Sequence, residues 1–95
     1  MEIGPGSLKC VAAWSPRRRM RPVVERALGE HVREQDVRHL FGDLFVVYTD
    51  AEVAAVRDWL VPHLAEGESA FVAEFERWAA RGPGADPVWL RARGH

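Results

Sequence analysis

Gly42-Asp43-Leu44-Phe45-Val46-Val47-Tyr48-Thr49-Asp50, continuing as Ala51-Glu52-Val53-Ala54-Ala55-Val56-Arg57-Asp58-Trp59-Leu60-Val61-Pro62-His63-Leu64, reads as a buried strand that feeds directly into an amphipathic helix. Leu44 to Tyr48 is an unbroken apolar run, rich in β-branched and aromatic side chains. A Gly-Asp turn signal precedes it and Thr49-Asp50 follows, which suits a strand covered on both faces. In the helix, Val53, Val56, Leu60 and Leu64 form the buried stripe, and Thr49 with Glu52 has the spacing of a capping box. Pro62 predicts a kink or a tighter last turn, and Gly67 is the expected C-terminal cap.

On the N-terminal side, Val32 to Phe41 is polar with scattered apolar positions, as in a charged edge strand that hairpins into Leu44–Tyr48. Before it, Val23, Val24, Ala27, Leu28 and His31 share one stripe of a helix that starts at Pro22 and weakens at Gly29. Ser15 to Pro22, with prolines at both ends, is a loop. Leu8 to Trp14 is a first strand, apolar on both faces apart from Lys9. Cys10 within it reads as a small buried hydrophobe. Residues 1–7 form a flexible lead.

On the C-terminal side, Ser69 to Trp78 alternates, with Phe71, Ala73 and Phe75 on one face, as in a half-exposed strand. Gly82-Pro83-Gly84 breaks the chain, and Asp86-Pro87 caps a short helix carrying Val88, Trp89 and Leu90. The division is therefore a lead over 1–7, one domain over 8–82 and a C-terminal extension over 83–95.

This order of elements is the α+β, ferredoxin-like βαββαβ pattern, a four-stranded antiparallel sheet with two helices on one face. Right-handed crossovers put the first and third strands in the middle and the second and fourth at the edges. Charge agrees, since the two most apolar strands take the central places. The opposite face of the sheet is left bare, for the C-terminal segment or a second copy to cover.

Ninety-five residues, 47% of them apolar, make a single domain with a thin core, so a partner can matter to its stability. The formal net charge of −1 excludes a polycation. Through Tyr48 there are 8 basic against 6 acidic residues, and beyond it 5 against 8, an asymmetry too mild to decide anything. One cysteine allows no intramolecular disulfide and no cysteine-based metal site within one chain. With no signal-like or membrane-length apolar run, the chain reads as cytoplasmic, and its preference for Arg over Lys reads as bacterial.

The stretch from Phe41 to Trp78, with Phe-Gly-Asp-Leu-Phe-Val-Val-Tyr-Thr-Asp at its start, resembles the SinR-like small ferredoxin-fold proteins. These are distant relatives of the nuclease-like subunit of the CRISPR adaptation complex and of toxin ribonucleases. The resemblance implies a dimer. Its nuclease members carry an aspartate at the end of the first strand, where this chain has Trp14-Ser15 with no carboxylate nearby. Cleavage by a divalent cation held between paired carboxylates is therefore not expected.

Arg17, Arg18, Arg19 and Arg21 form the sharpest polar cluster, placed where a strand ends and a helix begins, and they are the candidate nucleic-acid contacts. A solvated loop paired with neighbouring Glu residues is the competing reading. Trp14, Trp78 and Trp89 are candidate dimer-interface residues, better suited to packing than to stacking on bases. His31, His39, His63 and His95 lack metal-ligand spacing, and Ser15 and Ser69 lack a nucleophile turn, so no catalytic residue, metal or cofactor is assigned. The sequence thus reads as a non-enzymatic, homodimeric binding module acting through protein association, with nucleic acid or a heterologous protein as further partners and no membrane contact. The alternatives are a nuclease-like or toxin-like protein acting on RNA or DNA, and a small-molecule sensor that uses the bare sheet face as a pocket wall.

Overall fold

The structure, a computed structural model, describes residues 6–94. The strands are β1 (Ser7–Trp14), β2 (Val37–Phe41), β3 (Leu44–Thr49) and β4 (Ser69–Phe75). The helices are α1 (Arg21–Gly29), α2 (Val53–Leu60) and α3 (Pro87–Gly94). The chain is α+β, and its strands form one open sheet in the order β2-β3-β1-β4, every neighbouring pair antiparallel. The two most apolar strands are the inner ones. The first five residues of the expected lead lie outside the described residues, and Ser7 already belongs to β1.

One face of the sheet is sealed by α1 and α2. Val11 and Ala13 of β1 and Phe45 and Val47 of β3 pack against Val24, Ala27, Leu28, Val56 and Leu60, with Met20 closing the entry to α1. Lys9 points into the same face and is 2% exposed. Its ammonium donates to the Ser7 hydroxyl at 2.6 Å and to the Thr49 carbonyl at 2.8 Å, which makes burial of the charge tolerable. At the C-terminal ends of the helices, the His31 and Trp59 rings stack in parallel with centroids 4.5 Å apart, clamping α1 to α2.

Several local expectations need correction. The capping box does not form. The Thr49 hydroxyl instead accepts from the Ala51 N–H at 3.1 Å, and α2 starts at Val53 behind Glu52 without a side-chain cap. Gly67 caps no helix: Pro62 finishes α2 in a 3-10 turn over Val61–His63, and Gly67, at φ +87°, serves the turn over 65–68 that leads into β4. The second strand is shorter than expected, because Glu34–Asp36 forms a 3-10 turn before Val37. The fourth stops at Phe75, before Trp78.

The second face is covered only in part. Leu8, Val46, Trp89 and Leu90 form a smaller core there, joined by Leu40, Tyr48, Phe75, Trp78 and Ala80. The Trp89 indole N–H donates to the Gln35 carbonyl at 3.0 Å, and the guanidinium groups of Arg38 and Arg93 lie 5.5 and 5.4 Å from its ring. Arg93 also pairs with Asp36 at 2.9 Å, and Arg38 with Asp86 at 3.3 Å. Through these contacts α3 is fastened to the turn that opens β2. Because Trp89 is the one large side chain that spans this junction, Trp89→Ala is expected to cost about 3–5 kcal/mol in urea unfolding. Val88→Ala, one residue away and 74% exposed, is expected to change stability by under about 0.5 kcal/mol.

Candidate functional site

Strand register decides which side chains share the second face, because directly opposed residues of an antiparallel pair point the same way. Three rows cross the sheet there. Leu8 is flanked by Tyr48 and Phe75, Cys10 by Val46 and Ala73, and Ala12 by Leu44 and Phe71. The last row is extended by Phe41, which lies opposite Leu44 next to the β2–β3 turn, and Trp14 stands beyond it at the end of β1. The turn is tight because Gly42, at φ +54°, enters a region glycine reaches without penalty.

Helix α3 covers the Leu8 row and Val46 in the middle row but not the Ala12 row. Trp14 is 57% exposed, Phe41 55% and Phe71 64%. Three aromatic rings thus stand in water at one end of an otherwise packed face. At about 200 Å² per side chain they present about 350 Å² of apolar surface, near the size of the largest patch on an ordinary monomer.

The three tryptophans named from the sequence have separate fates. Trp14 belongs to the open row. Trp89 is 6% exposed within the chain's own second core, and Trp78 packs against that core with Arg91 5.9 Å from its ring. Phe41 and Phe71 join Trp14 in the open row. The signal for Phe71 lay in the alternation of β4, whereas Phe41 needed the register and the irregularity between His39 and Phe41.

The arginine cluster is built largely as a brace. Arg18 Nε and Nη2 donate to Glu68 Oε2 at 2.6 Å and Oε1 at 2.7 Å, and Nη2 also reaches the His63 carbonyl at 3.0 Å. Arg17 donates to the Glu66 carbonyl, and Arg21 pairs with Glu25 at 3.1 Å, one turn along α1. Arg19 alone of the four makes no hydrogen bond or ion pair among the described residues. The loop after β1 is thereby tied to the turn before β4, two segments about fifty positions apart in the chain. Glu68 is held from two sides, by the Arg18 fork and by the Ala65 N–H at 2.7 Å. The Arg18 hydrogen bonds do most to lower its carboxyl, from an ordinary 4.5 to about 2, with Ala65 adding to the effect and burial opposing it. The same fork raises the Arg18 guanidinium above its already high value.

The remaining polar groups do not converge. His39 faces the Gly42 carbonyl at 2.8 Å, and His63 meets Glu30 at 3.1 Å. Among the described residues no three His, Cys, Asp or Glu side chains gather as a metal site, and no helix is long and apolar enough to cross a membrane. A cavity of about 540 Å³ between α1 and β2 is lined by Arg21, Glu25, Glu34, Arg38 and His39 among others, but Arg21 and Arg38 are already paired to carboxylates. No protein-family model, curated protein or solved structure matches the chain.

The Glu68 brace has a pH signature. A carboxyl lowered on folding stabilises the native state above its unfolded value, and that stability is lost as pH falls from 4.5 towards 2. Thermal melts over this window should show a fall in the wild-type protein that is shallower in Glu68→Gln. At neutral pH the Gln variant should already be the less stable of the two.

Proposed function

We propose that the protein is a ferredoxin-like, non-catalytic binding module whose open end of the second sheet face joins a second copy of the chain. The strand order β2-β3-β1-β4, read from the other edge, is the order a split βαβ repeat produces, which supports the ferredoxin-like assignment. The observation that carries the association is the row Phe71, Ala12, Leu44 and Phe41, which crosses all four strands with Trp14 beside it. A two-fold interface brings the same patch of both copies together, and an exposed apolar row supplies such a patch. An ordinary dimer buries about 800 Å² on each partner, so the aromatic row forms its apolar centre and polar residues around it supply the rim.

Protein association is favoured over nucleic acid by the arginine loop. Three of its four guanidinium groups already serve the chain's own acceptors, and the net charge is −1. Phosphate would have to compete with Glu68 for Arg18. Nuclease or toxin chemistry on RNA or DNA finds no metal-holding cluster of carboxylates among the described residues to support it.

Sedimentation velocity at micromolar concentration is expected to give a dimer. Phe71→Glu, which places a charge in the middle of the apolar row, should give a monomer with an unchanged far-ultraviolet circular dichroism spectrum. A wild-type protein that sediments only as monomer would refute the association. Co-purifying RNA or DNA that nuclease removes, with loss of the dimer, would turn the reading towards nucleic acid.

A further inference from the structure

Between the α3-covered part of the second face and the open row lies a cavity of about 260 Å³. Its floor is the sheet, with Cys10, Val46 and Phe75, and its wall is the segment that leaves β4, with Trp78, Ala80 and Arg81. Leu90 of α3 closes one side. Arg81 is the only charged side chain among the described residues that line it, and no carboxylate does. Its guanidinium makes no ion pair or hydrogen bond among the described residues. A second cation stands near, because Arg91 lies 5.9 Å from the ring of Trp78.

An apolar chamber with unopposed positive charge at its wall selects a particular chemistry. An apolar body fills the chamber, and an anionic head meets the guanidinium, whose planar fork suits a carboxylate. An apolar protein cavity of about 150 Å³ accepts benzene, so one of this size takes a ring with a short chain, about ten heavy atoms in all. We infer that this cavity binds a small aromatic or branched-chain monocarboxylate, its hydrocarbon against Val46, Phe75 and Leu90 and its carboxylate on Arg81. The inference goes beyond self-association; because Phe41 and Leu44 of the proposed dimer row also border the cavity, its test is run in the row variant Phe71→Glu as well as in the wild type.

Cys10 supplies the readout, being the only cysteine and lying on the cavity floor. Its alkylation by iodoacetamide is followed by mass spectrometry with 3-phenylpropanoate or its neutral amide at increasing concentration, in the wild type and in Phe71→Glu. The acid is expected to protect Cys10 in both proteins, at about tenfold lower concentration than the amide, the worth of one charge-assisted hydrogen bond. Arg81→Met, an exposed substitution that keeps the apolar stem, should abolish the preference for the acid. Ala80→Phe, which fills the chamber, should abolish protection by either compound. Absence of protection by both compounds at millimolar concentration, or equal protection by acid and amide in the wild type, would overturn the assignment. Protection in Phe71→Glu, whatever its oligomeric state, separates this outcome from that of the dimer.

Discussion

The antiparallel pairing of β1 with β3 is the constraint on which the structure rests. Six residue pairs, from Ser7–Thr49 to Ala12–Leu44, lock together two strands that are apolar on both faces. Such strands cannot lie at a rim without exposing both a row of unpaired backbone groups and a run of apolar side chains. They therefore take the centre, and the shorter or more charged β2 and β4 are left to flank them. The same property creates a demand on the two faces of the sheet. One is met by α1 and α2, whose stripes close over Val11, Phe45 and Val47. The other is met only partly, because α3 has eight residues and reaches no farther than the Leu8 row and Val46.

The functional features follow from that shortfall. Where α3 ends, a cavity opens. Phe41 at its border, with Trp14 and Phe71, stands in water. The proposed association would cover these rings, whose combined area is near that of the largest apolar patch on an ordinary monomer. Arg17 and Arg18 of the arginine loop brace the scaffold. By fastening the end of β1 to the turn before β4, Arg18 and Glu68 fix the edge strand that carries Phe71 and so hold the aromatic row in register.

Much of the fold was legible in the sequence. The central strands announced themselves by unbroken apolar runs, the helices by stripes ending at Gly29 and Pro62, and α3 by Asp86-Pro87. The misreadings have a common physical source, which is competition between local partners. Thr49 has the spacing of a cap, but its hydroxyl is taken by the Ala51 N–H two residues on. Gly67 has the left-handed conformation of a helix terminator but uses it for a turn. The candidate site was less legible. Of the four arginines read as candidate nucleic-acid contacts, Arg17 and Arg18 have acceptors far along the chain, the Glu66 and His63 carbonyls and the Glu68 carboxylate. No local pattern couples positions 18 and 68. The sequence offered the segment of Trp89 or a second copy as the cover of the bare face without deciding between them, since the Gln35 carbonyl and the Arg38 side chain that receive Trp89 lie far from it along the chain.

Amide hydrogen exchange measured by NMR tests the arrangement most directly. If β1 and β3 are the inner pair, the interior amides of Cys10 to Ala12 and of Val46 and Val47 should be the slowest to exchange and should open only with global unfolding. Amides of β2 and β4 should exchange faster along their free edges. Fast exchange along β1 or β3, equal to that of the edge strands, would contradict the account.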